Sequence, residues 1–299
     1  MVNAIVTMPP YAPYLREVLA HPIVSGIRFN TVMPVRNLEE TVKQLAGEAA
    51  TQGKELWVDL KCRQLRIRAY AVPPFTEIEL THNISVDPGA RAYFSDGRES
   101  ATVVAANGNK LIMLEGPKRV VGPGESVSIP HPSLKVEGYL TDTDKQYVEA
   151  GLRIGLHNYL LSFVEGSADI EGIKRLDPAA AVIEKIESLA GLNYVENEWH
   201  GGRLMAARGD LYMQVSKPHH MLRALEQVIS KDKNAVVASR IFPSLVESLE
   251  PSCQDIGDVD NLLRMGYRTF MFGDDICFRR DSIMSGLNLL RAVAERYEK

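Results

Sequence analysis

Long hydrophobic runs are absent from this sequence, since no apolar stretch approaches the roughly 20 residues that a helix needs to cross a bilayer. An excess of positive charge is also absent: 34 Lys and Arg stand against 38 Asp and Glu, for a formal net charge of −4. Such a surface does not favour nucleic acid or anionic lipid. Residues 1–4 lack the basic region and long apolar core of a signal peptide. We therefore predict a cytoplasmic protein with neither a membrane nor a nucleic-acid partner.

Cysteine is scarce as well. The three cysteines, Cys62, Cys253 and Cys277, are odd in number, and their spacings match no zinc-binding pattern. We expect reduced thiols rather than disulfides or a cysteine-based metal centre.

The first part of the chain alternates between strand and helix patterns. Three short apolar runs are typical of buried strands, and two segments with apolar residues at helical spacing separate them. The predicted elements are strands at 2–8, 25–30 and 55–60, and helices at 11–19 and 37–51. This order of elements indicates a parallel sheet.

Residues 72–137 show almost no helical periodicity. Short β-like runs alternate with turn signals such as Asp87-Pro88-Gly89 and Asp96-Gly97, at the spacing of a small sandwich or barrel. Pro73-Pro74 and the pair Pro130 and Pro132 bracket the segment like hinges. We predict a small inserted all-β domain that can close over a site on the larger domain.

The strand and helix alternation resumes after Gly138, where Thr141 begins a helix with Asp144 at the capping-box position. Five further strands are predicted at 158–163, 180–186, 203–207, 235–239 and 268–272, and helices at 219–230, 258–264 and 281–297, with Asp258 as a helix cap. Three strands before the insert and five after it favour a closed (β/α)8 TIM barrel over an open doubly wound sheet. The predicted α/β barrel covers residues 1–71 and 138–299, and the inserted domain covers 72–137.

Charged residues stand at the ends of the predicted barrel strands, where barrel enzymes carry their chemistry. Lys185 and Glu187 are two apart on the fifth strand and face the same way, and Asp210 follows the sixth strand. A Glu and an Asp from neighbouring strand ends can share a divalent cation, and a lysine beside it can stabilise an enolate or phosphoryl oxygen. A structural salt bridge between Lys185 and one of the acids explains the same residues equally well. Asp274-Asp275 follows the eighth strand, and we interpret it as a polar loop.

Two segments resemble the pyruvate kinase family. Ala181–Ser188 (AVIEKIES) resembles its active-site strand with a Lys-Ile-Glu core, and Leu204–Leu211 (LMAARGDL) resembles its Ala-Arg-Gly-Asp segment. Weaker similarities follow in the family's order at 28–30, 58–61, 93–104, 141–145, 162–163, 238–239 and 257–272. The resemblance therefore spans nearly the whole chain.

The resemblance implies an enzyme that acts on phosphoenolpyruvate or pyruvate with Mg²⁺ or Mn²⁺. By it, Glu187 and Asp210 would hold the metal, and Lys185 would neutralise the phosphoryl group or enolate. Ser239 would lie near the substrate carboxylate, and Arg28 would meet the phosphate. The further substrate-binding residues that it implies are Ala207, Arg208, Gly209, Asn30, Asp59 and Lys61. It implies a nucleotide as a second ligand and leaves a homo-oligomer open.

The departures from the family pattern concentrate in the nucleotide and potassium half of the site. Glu125-Ser126-Val127-Ser128 stands where the family has Lys-Gly-Val-Asn, and a glutamate would repel nucleotide phosphates. Only Asn30 and Asp59 remain of the K⁺ site. Cys62-Arg63-Gln64 replaces Gly-Pro-Glu, and Arg240 replaces a glutamine. The sequence ends after the eighth barrel helix, so we expect no counterpart of the family's C-terminal domain.

Three functions remain open on these grounds. The first is a pyruvate kinase-like phosphotransferase whose acceptor is a nucleotide or another group. The alternative is a metal-dependent lyase, an aldolase or decarboxylase, that works through a pyruvate enolate. The third is a non-catalytic ligand sensor or assembly partner.

Overall fold

The computed structural model describes residues 1–94 and 97–297, so the predicted turn at Asp96-Gly97 lies partly outside the described residues. The strands are β1 (Asn3–Thr7), β2 (Val24–Asn30), β3 (Glu55–Leu60), β4 (Glu77–Glu79), β5 (Ile84–Ser85), β6 (Arg91–Phe94), β7 (Glu99–Asn107), β8 (Lys110–Met113), β9 (Val127–Ser128), β10 (Lys135–Val136), β11 (Asn158–Leu161), β12 (Ala181–Ile186), β13 (Arg203–Ala207), β14 (Val236–Ala238) and β15 (Thr269–Phe272). The α-helices are α1 (Leu15–Leu19), α2 (Leu38–Thr51), α3 (Asp142–Ile154), α4 (Ser167–Leu176), α5 (Leu189–Asn197), α6 (Arg208–Gln214), α7 (His220–Lys231), α8 (Cys253–Met265), α9 (Asp274–Cys277) and α10 (Arg280–Ala294).

Eight parallel strands close into a barrel in the order β1-β2-β3-β11-β12-β13-β14-β15, and β15 pairs with β1. The predicted (β/α)8 barrel is therefore confirmed. Side chains from seven of these strands fill its interior: Ile5, Trp57, Leu160, Ile183, Met205, Val236, Ala238 and Met271. The barrel is thus a packed core rather than a channel, and function is confined to its rim.

Two helix starts show how local sequence sets the boundaries. Thr141 caps α3 through a capping box with Asp144, as predicted. The cap predicted at Asp258 is wrong, because α8 begins earlier and Ser252 accepts the backbone N–H of Asp255 instead. Asp258 lies inside that helix, where its carboxylate is free to reach a partner on another element. None of the helices in residues 1–94 and 97–297 has the length and apolar character needed to span a membrane.

The insert after β3 forms a five-stranded sheet in the order β4-β8-β7-β6-β9 and a two-stranded sheet of β5 and β10. It has its own apolar core, which also includes Leu65 and Ile67 from before residue 72. The exact domain boundaries therefore stay a prediction. The inserted all-β unit itself lies where the sequence pattern changes from helical to strand periodicity.

The insert lies over the barrel rim. A Cβ atom on Gly97 would come within 2.8 Å of the Met213 side chain on α6, and one on Gly124 would lie 3.8 Å from Val32 after β2. Arg66 also donates a hydrogen bond to the carbonyl oxygen of Gly124. The sheet therefore covers the end of the barrel at which the strands terminate.

Glu184 faces outward from β12 into the packing between the barrel and α5. Tyr194 donates a hydrogen bond of 3.1 Å to its carboxylate. Burial raises the pKa of Glu184 to about 7, and the hydrogen bond from Tyr194 only partly opposes this shift. The folded protein therefore binds this proton more tightly than the unfolded chain does.

We expect Glu184→Gln to flatten the pH dependence of stability. Because the folded pKa is raised, the stabilising effect of the proton is complete below the unfolded pKa and is lost as pH rises towards about 7. The variant should gain about 2–3 kcal/mol relative to wild type between pH 5 and pH 8. Urea unfolding at several pH values measures this difference. Exposed Glu198→Gln is the matched control, and equal pH profiles for wild type and Glu184→Gln would contradict the prediction.

Candidate active site

Backbone conformations that are unfavourable for L-residues mark the barrel rim. Within residues 1–94 and 97–297, five non-glycine residues have positive φ values, and they lie in the segments that follow β3, β11 and β14: Cys62 (46°), Phe163 (50°), Ser239 (68°), Arg240 (55°) and Phe242 (50°). Such conformations persist only where the surrounding structure holds them, and they concentrate at functional sites. The rim around these three strand ends is therefore the candidate active site.

Asp59, at the end of β3, is the centre of the charged cluster on the rim. Its carboxylate is fully buried and accepts hydrogen bonds from Arg28, from Lys61 at 2.6 Å and from Lys185 at 3.2 Å. Burial alone would raise the pKa of Asp59, but Arg28, Lys185 and Lys61 outweigh it and hold that pKa well below its usual range. The aspartate is thus a permanent anion that positions three cations.

Lys185 projects from β12 into the same cluster. Its Nζ lies 3.2 Å from Glu187 Oε1 and donates a 2.7 Å hydrogen bond to the Ser162 hydroxyl. Burial acts to lower the pKa of Lys185, but Asp59 and Glu187 raise it above its usual value. The side chain is therefore an ammonium group that is held on three sides at the mouth of the barrel.

Glu187 and Asp210 form the carboxylate pair that the sequence predicts as a metal site. The Glu187 carboxylate is buried and accepts the backbone N–H of Phe163 at 2.8 Å, and Asp210 lies in the first turn of α6. Burial raises the pKa of Glu187 to about 7; Lys185 opposes this shift and Asp210 adds to it. The buried Glu187 carboxylate thus interacts with the partly buried Asp210 carboxylate, and a cation between them would remove their repulsion.

The donor set of this pair fits a hard divalent ion. No group of three or more His, Cys, Asp or Glu side chains in residues 1–94 and 97–297 is arranged to hold a metal. Two carboxylates alone leave coordination positions for water and substrate oxygens, which is how Mg²⁺ is commonly bound at phosphate-handling sites. Oxygen donors without sulfur or imidazole suit Mg²⁺ and Mn²⁺ rather than Zn²⁺.

Asp274, which the sequence pattern places in a polar loop, accepts hydrogen bonds from Arg28 and Asn30 at the end of β2. Arg28 donates to Asp274 at 3.2 Å and to the Thr7 hydroxyl at 2.8 Å, and the Asn30 amide donates to both Asp274 oxygens at 3.0 Å. The loop interpretation is wrong for Asp274, which begins α9. Only its position after the eighth strand could have indicated this role.

One protein-family model covers most of this chain. The family model for the barrel domain of pyruvate kinase matches residues 74–275, which is more than half of the chain. The chain belongs to the pyruvate kinase family. The matched range contains Lys185, Glu187, Asp210 and Ser239.

Individual pyruvate kinases are similar over a large part of this chain. The protein named pyruvate kinase from Borreliella burgdorferi is 22% identical over 223 residues, which cover 72% of this chain and 46% of that protein. That from Corynebacterium efficiens is 27% identical over 204 residues, covering 65% and 42%. Pyruvate kinase 2 from Synechocystis is 27% identical over 231 residues, covering 72% and 38%. The chain thus spans less than half the length of these relatives.

Arg208 of the pyruvate kinase-like Ala-Arg-Gly-Asp turn is directed away from the charged cluster. Its guanidinium pairs with Asp258 at 2.8 Å and donates to the carbonyl oxygens of Ser239 at 3.0 Å and Arg240 at 2.6 Å. Arg208 therefore holds the backbone of the strained 239–240 segment. A Cβ atom on Gly209 would lie only 3.5 Å from the Ser239 hydroxyl, so the turn and Ser239 are adjacent.

Lys61 and Arg66, on the segment after β3, are two further cations at the rim. Burial lowers the pKa of Lys61 to about 7; Asp59 opposes this shift, whereas Arg28, Arg66 and Lys185 add to it. Arg66 donates a 3.0 Å hydrogen bond to Gln64, whose amide lies 3.4 Å from Asp210. Sequence reasoning missed Arg66, because its alternation with apolar neighbours is also that of an ordinary surface residue.

Glu125 repels nucleotide phosphates less than its place in the sequence implies, because it has a cationic partner. Its carboxylate pairs with Arg119, which donates at 3.0 Å, and Arg119 also donates to Glu99 at 2.6 Å. Arg119 is shared between Glu125 and Glu99, so it offsets only part of the negative charge that replaces the pyruvate kinase lysine. The repulsion of nucleotide phosphates that the sequence predicts is correspondingly weaker.

Proposed function

We propose that this chain is a pyruvate kinase-like enzyme that binds Mg²⁺ or Mn²⁺ and phosphoenolpyruvate or pyruvate at the rim of the barrel. The observation that supports this most strongly is the position of Lys185, whose ammonium lies 3.2 Å from both Asp59 and Glu187. An ammonium can stabilise an enolate oxygen, two carboxylates can hold a divalent ion, and a covering sheet can exclude water. The phosphoryl acceptor in this proposal is a nucleotide or a smaller group.

The charge of the cluster favours an anionic ligand that enters together with a divalent cation. Four cations interact with four carboxylates: Arg28, Lys61, Arg66 and Lys185 with Asp59, Glu187, Asp210 and Asp274. Because their formal charges cancel, the cluster is neutral before any ligand enters. A divalent cation would then offset negative charge on the ligand, which for phosphoenolpyruvate lies on its carboxylate and its phosphate.

In this proposal Glu187 and Asp210 hold the divalent ion, which supplies Lewis-acid polarisation of the substrate oxygens when it is bound. Lys185 stabilises negative charge on the enolate oxygen as the phosphoryl group departs. The turn at Gly209 and the Ser239 hydroxyl bind the substrate carboxylate. The insert excludes water, so that a phosphoryl group is transferred to the acceptor and not hydrolysed.

A thermal-stability titration tests the proposal. Mn²⁺ together with phosphoenolpyruvate should raise the unfolding temperature, since saturation at about 100 Kd corresponds to about 2.7 kcal/mol. ADP should add to this only when both are present. Glu187→Gln should abolish the response, whereas Glu196→Gln, an exposed position on α5, should retain it. Stabilisation by oxaloacetate and Mn²⁺ without any nucleotide effect would favour the lyase, and no response to metal would contradict both enzymes.

The alternative of a metal-dependent lyase has less support. The relatives that the chain matches are named pyruvate kinases. One argument for a lost nucleotide site is that Glu125 replaces a lysine, and Arg119 offsets part of the charge of that glutamate. The transferase is therefore the function that we propose.

The residues do not fit the potassium ion that pyruvate kinases generally use. Asp59 is already paired with three cations, and the Asn30 amide nitrogen faces Asp274 while its oxygen accepts the Val32 N–H at 3.3 Å. We expect phosphoenolpyruvate with Mn²⁺ to stabilise the protein equally in potassium chloride and in tetramethylammonium chloride. A larger thermal shift that requires K⁺ would show that the site retains a monovalent cation.

A further inference from the structure

A second cleft lies between the insert and the barrel, apart from the charged cluster at Lys185. It has a volume of about 540 Å³. One wall is the end of the insert, residues 127–136, and the other is formed by the segments at 163–165 and 188–190 with Gln214. A cavity of this size is large enough for a small organic molecule.

Apolar side chains contribute to both walls of the cleft. Ile129, Pro130 and Leu134 line the side of the insert, and Phe163 and Leu189 line the side of the barrel. Leu189 is 51% exposed although it lies beside these apolar neighbours. An apolar ligand body would remove this surface from water, which is favourable in proportion to the area buried.

The polar groups of the cleft favour an anion. Its one carboxylate, Glu165, is already engaged, because Ser188 donates to it at 2.5 Å and Arg63 at 3.1 Å. Lys135 has no side-chain partner anywhere in residues 1–94 and 97–297, and its ammonium is exposed at the edge of the cleft. His131 lies on the same wall. Arg63 also lines the cleft but is paired with both Glu165 and Asp169, so among the described lining residues Lys135 is the charged side chain left without a partner.

The barrel wall of the cleft belongs to the segments that hold the two predicted metal ligands. The backbone N–H of Phe163 donates to Glu187, and Ser188 follows Glu187 directly. Gln214 ends α6, the helix that carries Asp210. A molecule in the cleft would thus touch the covering insert and the supports of both carboxylates at once.

We propose that this cleft is a second small-molecule site, which takes an organic anion with an apolar body. The anionic group meets Lys135 and His131, and the body packs on Leu134, Phe163 and Leu189. Because the occupant contacts both the insert and the barrel, its binding holds the two against each other. The site is separate from the one proposed for phosphoenolpyruvate, so the two can be tested independently.

A fluorescent probe with this chemistry, 8-anilinonaphthalene-1-sulfonate, tests the site. We expect saturable binding to the wild type and roughly tenfold or greater weakening by Lys135→Glu and by Leu189→Asp. Lys118→Glu and Leu249→Asp change the same residue types at exposed positions outside the cleft and should bind within about twofold of wild type. N-phenyl-1-naphthylamine, which lacks the sulfonate, should bind more weakly than the anion.

Hydrogen exchange of the wild-type protein with the probe gives a measurement that needs no variant. Protection should increase in 127–136 on the insert and in 163–165 and 188–190 on the barrel. Protection on one wall only, or elsewhere, would overturn the proposal. So would an absence of probe binding, or equal weakening by the cleft variants and their controls.

Discussion

Lys185→Met should abolish turnover of phosphoenolpyruvate while the protein stays folded. The ammonium is the cation closest to the carboxylate pair, and its loss removes the charge that stabilises the enolate oxygen. Removing one such group from a preorganised site costs about a hundredfold to a thousandfold in kcat. The fold should persist because Asp59 keeps Arg28 and Lys61 as partners and because methionine fills a similar volume.

The comparison that makes this result specific is Lys174→Met, which removes an exposed lysine from α4. Both variants should give the same circular dichroism spectrum, and only Lys185→Met should lose turnover. Unchanged activity of Lys185→Met would refute the proposed role. Loss of activity together with loss of the folded spectrum would show that the lysine is structural instead.

Much of the site could be predicted because strand geometry is periodic. Residues two apart in extended backbone face the same way. Lys185 on β12 and Glu187, which follows directly after this strand, were therefore expected to lie together. A barrel places the ends of neighbouring strands at one rim, so Asp210 had to lie near them. These inferences need only the local pattern of each strand and the count of eight.

The partners that sequence reasoning missed depend on contacts between distant elements. Asp274 reaches Arg28 and Asn30 only because β15 closes the barrel against β1, next to β2. Local sequence cannot distinguish this aspartate from its neighbour Asp275 in the same polar segment. The pairing of Arg208 with Asp258 was not predicted for the same reason. Aspartate is a preferred N-cap residue, so the local sequence favoured a helix cap at Asp258.

The insert was harder to predict in detail than the barrel. Its strands are short, and the two-residue strands β5, β9 and β10 give almost no periodic signal. Arg119 and Glu125 form an ion pair across the loop that precedes β9, and this contact weakens the repulsion of nucleotide phosphates that the sequence predicts for the glutamate. A charge in a loop can be interpreted only when its partner is known.

Asp59→Asn should destabilise the protein by about 3–5 kcal/mol, because it leaves the buried cations at positions 28, 61 and 185 without their common counter-ion. Since the pKa of Asp59 is held well below its usual value, its contribution is present above the unfolded pKa and is lost as pH falls. The variant should therefore differ from wild type most at neutral pH and least in acid. Urea unfolding across this range measures the difference.

Asp142→Asn, which breaks an exposed ion pair with Lys145, is the control and should cost at most about 1 kcal/mol. Equal losses in the two variants would contradict the view that Asp59 organises the cluster.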